Sequence, residues 1–334
     1  MFDQSFLKQQ NAVIDDDGNI GFPGVDIGAD ACPETFITIV PGFCLLHVAG
    51  SDAVSFLHAQ LTCDVENMAD GAGSSAAWCN PKGRVIATFL LFRLDNEFFL
   101  LLPSVLKESV VKRLNMFVLR ADVRITDFTE GRSLLGVRDQ SENSNAFSIT
   151  KLNERLHLFL PDTGSERCLI IDENERLQKV WTELTETFRP VDSRCWALLD
   201  IKAGIPWLNH DTTEQFLPQE LSLEESGGLS FSKGCYPGQE VVARVHYRGQ
   251  VKRRLFHASA DGNTGITPGL KIRDEAGKST GTVVSATAMT NAGAVLLIVI
   301  ETASAQAETL FLENGTSLKI GSCVTLTDSG IPPE

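Results

Sequence analysis

The sequence predicts an α+β protein that ends in a small β-barrel. Strand-like apolar runs alternate with amphipathic helices up to about residue 248, and beyond it the texture changes to short strands cut by glycine turns. Of the 334 residues 43% are apolar, enough for full hydrophobic cores, and a chain of this length makes about two domains. The net charge of −14 repels phosphate over most of the surface, so nucleic acid can be met only at a local basic patch. The apolar runs 98–102 and 295–300 fall far short of the roughly 20 residues of a membrane span. Met1-Phe2-Asp3-Gln4-Ser5 lacks the basic and apolar regions of a secretory signal, and the chain reads as cytoplasmic with no membrane partner.

Residues 1–35 read as an N-terminal extension. Phe36 to Val48 is strand material broken at Pro41-Gly42, and Gly50-Ser51-Asp52 opens a helix with Ser51 as its expected N-cap and Val54, Leu57 and Leu61 on one face. Arg84 to Leu94 and Phe98 to Leu102 form a hairpin about Asp95-Asn96. A helix with Leu106, Val110, Leu114 and Phe117 or Val118 at the 3.6 period follows, then a strand over Val123 to Phe128. The cadence recurs as a strand at Cys168 to Ile171, a helix over Glu175 to Thr187 with Leu177, Val180, Trp181 and Leu184 on one face, and a strand over Trp196 to Ile201. Two strand–helix–strand units with hairpin strands between them give a ferredoxin-like layer within residues 36–248. In residues 249–330 the barrel strands are expected at 255–258, 270–273, 282–286, 294–300, 309–312 and 322–326.

The eight cysteines contain no Cys-x-x-Cys pair and no metal-like cadence with the six histidines, so no metal site is expected. The densest chemical signal is the loop from Gly227 to Gly238, where four glycines and a proline let backbone approach a ligand closely. If the following segment, Gln239 to Arg244, is helical, Cys235 lies near its positive end with Lys233 two residues away, and both favour a thiolate. The alternative reading makes Cys235 a small residue filling a tight turn. From Lys233 to Arg254 six basic residues stand against the single acid Glu240, with His246 and Tyr247 among them. This stretch is either a solvated linker or a site for a polyglutamate tail, a phosphate or RNA. Phosphate-loop and dinucleotide fingerprints are absent. The four tryptophans are core residues by default.

Lys233-Gly234-Cys235-Tyr236-Pro237-Gly238-Gln239-Glu240 resembles the Lys-Gly-Cys-Tyr-x-Gly-Gln-Glu signature of the YgfZ family. The resemblance continues through Gln60 to Val65, Cys79 to Arg84, Leu91 to Arg93 and Phe216 to Gln219, and spans roughly residues 36 to 330. It implies an aminomethyltransferase-like folate-binding body followed by the barrel, with tetrahydrofolate or a derivative, free or polyglutamylated, as ligand. It also implies iron–sulfur enzymes or their assembly proteins as partners and a role in tRNA methylthiolation, with direct tRNA contact allowed but not required. The working residues it implies are Cys235 with Lys233, Tyr236, Gln239, Glu240 and Arg244. Phe43 and Trp196 stand where the family's two folate tryptophans stand, and a pterin or aminobenzoyl ring is expected between them. Ala87 and Thr88 replace the acidic pair of the aminomethyltransferases, and Lys202 replaces their pterin-contacting glutamate. Aminomethyl transfer is therefore not expected, although a folate-dependent one-carbon transfer to RNA or protein stays as the alternative.

Overall fold

A computed structural model describes residues 2, 4–23, 32–140, 146–162, 165–262, 265–289, 293–306 and 309–324. The chain opens with a helix, α1 (Gln4–Gln9), and a hairpin of β1 (Val13–Ile14) and β2 (Ile20–Gly21). Phe2, Phe6, Leu7 and Ile20 are buried in one cluster with Trp181, so the N-terminal segment is packed down on the body. Then follow β3 (Phe36–Ile39), β4 (Phe43–Ala49), α2 (Ala53–Gln60), β5 (Gly73–Cys79), β6 (Val85–Leu94), β7 (Glu97–Pro103), α3 (Lys107–Val118) and β8 (Arg124–Asp127).

The strands β4 to β8 make one antiparallel sheet in the order β5-β6-β7-β4-β8. Without β5 this is β4-α2-β6-β7-α3-β8 with spatial order β6-β7-β4-β8, the ferredoxin-like arrangement. The β6–β7 turn at Asp95-Asn96 has φ of 53° and 61°, the left-handed pair that closes a two-residue hairpin. β6 is apolar almost throughout because both of its faces are covered. Ala87, Phe89 and Leu91 join the core shared with α2 and α3, while Leu90 and Phe92 join the core shared with a second sheet.

That second sheet comprises β9 (Arg132–Asp139), β10 (Ser148–Leu152), β11 (Arg155–Leu160), β12 (Glu166–Glu173) and β3, in the order β10-β11-β12-β9-β3. Its outer face is covered by α4 (Asn174–Leu184) through Leu177, Val180 and Trp181. The next element is α5 (Arg194–Lys202), and the α-helix before the barrel is α6 (Gln239–Arg248). The barrel closes through β13 (Arg253–Ala260), β14 (Lys271–Arg273), β15 (Ser279–Met289), β16 (Gly293–Glu301), β17 (Leu310–Leu312) and β18 (Ser317–Cys323), in the order β13-β16-β15-β14-β17-β18.

Three local expectations are corrected. Trp196 to Ile201 is helix, not strand: Cys195, Trp196, Leu198, Leu199 and Ile201 are buried on nearly every side, and a short run of that kind carries no readable period. Asp192 accepts the Arg194 amide at 2.8 Å and so serves the start of α5. Ser51 does not cap α2; its amide and hydroxyl both donate to Asp122 Oδ2, at 3.0 and 2.9 Å, and Asp52 takes the N-cap position. The last barrel strand begins at Ser317, five residues earlier than expected, and positions 325 and 326 lie outside the described residues.

Candidate functional site

Four of the sequence segments singled out above meet at one loop. The stretch 227–230 is stitched to β5 by Thr62, whose hydroxyl donates to Gly228 O at 2.5 Å while its carbonyl accepts from Ser230 N at 3.0 Å. Lys233 is turned inward and 8% exposed, and its ammonium donates to the carbonyls of His58, Leu61 (2.6 Å) and Cys63 (3.0 Å), which end α2 and the turn after it. A cation with three donors is matched there to carbonyls that the helix leaves without partners. Burial nonetheless pushes Lys233 down to about 8. The sequence expects this charge beside the Cys235 thiol. The structure engages it with the end of α2 instead, because three converging carbonyls outbid one exposed thiol for the ammonium's hydrogens.

The far side of the loop is fixed as firmly. Tyr236 is 5% exposed and its ring lies 5.3 Å from Lys233 Nζ. Its hydroxyl has no hydrogen-bond partner among the described residues, and burial pushes the phenol up. Gly238 has φ of 82° and caps α6 in the left-handed conformation; a Cβ there would stand 2.5 Å from Asn80 O and from Gly83 Cα. A Cβ on Gly83, itself at φ of 72°, would stand 3.2 Å from Gly238 O, Val241 and Val242, so two glycines let the Asn80–Gly83 turn touch the start of α6. Gln219 is 2% exposed and donates to Val242 O at 2.7 Å, holding α6 from within. Sequence reasoning assigned Gln219 no role, although it lies in one of the quoted segments.

Between these anchors Cys235 is exposed, whereas Cys32 and Cys323 are half-buried and the other five cysteines are buried. Burial pushes the thiols of Cys44, Cys63 and Cys79 up to about 12 and raises Cys168 as well. Cys195 is raised by its hydrogen bond with Cys32 and by burial. α6 begins at Gln239, four residues beyond Cys235, and Gln239, Glu240 and Arg244 all lie on it, with Glu240 and Arg244 exposed. The neighbour that sequence reasoning missed is His58, 8% exposed, whose Nε2 lies 3.5 Å from where a Cβ of residue 234 would sit. Its Nδ1 accepts the Glu66 amide at 3.3 Å and lies 3.5 Å from Asp64 Oδ1.

The GCVT N-terminal domain family model matches residues 40–138. The tRNA-modifying protein YgfZ of Blochmanniella pennsylvanica is 32% identical over 235 residues, covering 67% of this chain and 71% of that protein. The protein of the same name from Edwardsiella ictaluri is 30% identical over 292 residues, 83% of this chain and 88% of the relative. The chain belongs to the YgfZ family. Its fold is also that of the glycine cleavage system aminomethyltransferase T of Bartonella henselae, with a TM-score of 0.75 at 16% identity over 95% of both chains.

The positions tied to folate by the YgfZ resemblance gather around the segment from Asp200 to Trp207, but not as expected. Phe43 meets the edge of Trp207 at 4.9 Å, a residue that sequence reasoning assigned to core packing. Trp196 is 2% exposed and lies under the Arg167 guanidinium, 4.9 Å away, so it presents no free face and the expected sandwich of Phe43 and Trp196 is corrected. Its burial follows from the wholly buried Arg167, which pairs with Asp200 at 2.7 Å while Trp207 donates to the other oxygen of that carboxylate at 2.9 Å. Thr88 donates to Pro206 O at 2.6 Å, and Lys202 is exposed in the last turn of α5.

One space beside the Asp200–Trp207 segment, lined by Ser75, Ala203, Gly204, Pro206 and Glu225, is about 20 Å³. It suits one water beside Glu225 Oε2, which has no hydrogen-bond partner among the described residues, and takes no pterin. A second space of about 540 Å³ opens at the β3–β4 corner where Phe43 sits, a volume typical of small-molecule sites. Its lining offers the Phe43 ring, the Lys107–Asp127 ion pair at 2.7 Å, Arg132, whose guanidinium lies over the Phe128 ring, and the carboxylate Glu130. That donor set fits a folate, which joins an aromatic ring system with amide-like donors to an anionic tail.

Proposed function

We propose that this chain is a folate-binding accessory factor that supports iron–sulfur enzymes acting in tRNA methylthiolation, with Cys235 as its working group. The observation that carries the reading is the presentation of the thiol: Cys235 is exposed on a loop whose neighbours Lys233, Tyr236 and Gly238 are all locked inside. A filler of a tight turn would be covered, while a thiol held out by a rigid frame is suited to meet another molecule. The names of the YgfZ relatives support the tRNA side of the proposal. A cytoplasmic site of action is favoured by eight unpaired cysteines, which a reducing compartment keeps free.

Phe43 would stack the folate ring, and Arg132 together with the hydrogens that Asp127 leaves free on the Lys107 ammonium would face its anionic tail. The ligand would supply a carrier of one-carbon units, and what the chain's own residues contribute is binding and orientation. Transfer chemistry is not favoured, because Ala87 is buried without a polar group and the Thr88 hydroxyl is already engaged with Pro206 O.

The test is rescue of a strain lacking the gene, read as the methylthiolated nucleoside content of its tRNA. The wild-type chain restores it and Cys235→Ser does not, although the serine variant accumulates and melts like wild type because the site is exposed. Full restoration by Cys235→Ser would remove the thiol from the account.

A further inference from the structure

We propose that the exposed face of α6, together with Phe231, is a docking platform for single-stranded RNA. The proposal rests on the reading that this chain works in tRNA modification, and it adds direct contact to that reading. Six basic residues lie between Lys233 and Arg254, and the structure divides them into two groups. Lys233 is engaged inside with backbone carbonyls, Arg253 pairs with Glu220 at 2.9 Å and Arg254 with Glu225 at 2.6 Å. Arg244, Arg248 and Lys252 are exposed and have no ion-pair partner among the described residues. On a body of net charge −14, three unpaired cations in nine residues make a local site for phosphate.

The same turn of α6 carries stacked rings. Phe231, from the Cys235 loop, lies on His246 with centroids 3.8 Å apart and planes at 25°. Tyr247 stands edge-on to both, 4.7 Å from His246 and 6.1 Å from Phe231, and is 68% exposed. Arg244, Tyr247 and Arg248 are spaced i, i+3 and i+4, so the exposed ring and the Arg248 guanidinium both neighbour Arg244 on one helical face. An aromatic surface beside unpaired arginines takes an unstacked base and its neighbouring phosphates, and a duplex, whose bases are already stacked, offers it nothing to cover. The carboxylates at the edge are Glu224, held 3.2 Å from His246 Nδ1, and Glu240 on the first turn of α6. They confine the positive face to the last two turns of the helix. Because Phe231 and Cys235 share one loop, RNA held here lies beside the loop that carries the thiol.

The experiment is fluorescence anisotropy of the full chain with a fluorescein-labelled unstructured RNA of about twelve nucleotides, a length within single-strand site sizes. Binding is expected at low salt, with log K falling against log salt at a slope of about −2 for three phosphates. Tyr247→Ala is expected to weaken it about tenfold, as loss of one stacked base does. Arg244→Gln with Arg248→Gln is expected to bring the slope down by about 1.4. Cys235→Ser is expected to bind as wild type, so this result stands apart from failure of the thiol reading. No saturable binding at low salt, binding indifferent to Tyr247→Ala, or equal competition by the matching duplex or by an oligoglutamate peptide would each overturn the proposal. The last outcome would make the face an anion or acidic-peptide surface.

Discussion

Trp196→Ala is expected to cost about 3–5 kcal/mol of folding stability, the range for a large aromatic removed from a packed core. The indole is 2% exposed, and Gly136 opposite it has no room for even a Cβ, which would stand 2.3 Å from Trp196 Cε3. Its removal would also take the ring from beneath Arg167, whose Nε and Nη2 already lack hydrogen-bond partners among the described residues. The buried Arg167–Asp200 pair would then be left beside a cavity, and burial already raises the Asp200 carboxyl. Denaturant unfolding of the two proteins checks the value. A loss below about 1 kcal/mol would mean that Trp196 is not the core residue described.

Lys233→Met is the second large effect. Methionine fills a similar volume but leaves the carbonyls of His58, Leu61 and Cys63 without their shared donor, at a cost of about 1–3 kcal/mol. The loop from Gly227 to Gly238 would lose its inner anchor, so faster amide hydrogen exchange is expected there and at the end of α2 while the barrel is unchanged. A pH dependence accompanies it. Lys233 is pushed down to about 8 in the folded chain from 10.5, so between those values the unfolded chain holds a proton that the folded chain has released. Stability therefore gains an increment as pH rises from about 8 to 10.5, and none below 8. Unfolding curves over that window should show the increment in wild type and lack it in Lys233→Met. An identical pH profile in the two would contradict the assignment.

The elements legible in the sequence were those whose burial is one-sided or whose turns are chemically marked. Asp95-Asn96 revealed a hairpin, the 3.6 period of Leu177, Val180 and Trp181 revealed α4, and glycine turns revealed most of the barrel. β5 was hidden because Gly73 to Ala77 is small and polar for a strand, and its pairing with β6 is a long-range fact. β9 to β11 mix charged and apolar residues without a clean alternation, and no strand is expected there from the sequence although Asn153-Glu154, at φ of 51° and 67°, closes the β10–β11 hairpin as Asp95-Asn96 closes β6–β7. α5 reads as a strand in the sequence because burial on all sides erases the helical period.

In the site, the motif loop and the exposure of its cysteine were within reach of sequence, since glycines and a proline around a thiol imply a shaped backbone. The direction of Lys233 was not, because it depends on three carbonyls about 170 residues away in the chain. The pairing of Phe43 with Trp207 in place of Trp196 was equally hidden, since only the fold decides which indole faces outward.

The most direct test of the account is calorimetric titration of the purified chain with tetrahydrofolate, run beside Phe43→Ala and Cys235→Ser. Saturable one-to-one binding is expected in wild type. It should weaken by up to about tenfold in Phe43→Ala, the scale of one aromatic stacking contact, and hold unchanged in Cys235→Ser. An absence of binding in the wild type, or full affinity in Phe43→Ala, would contradict the claim that a folate is held at the β3–β4 corner.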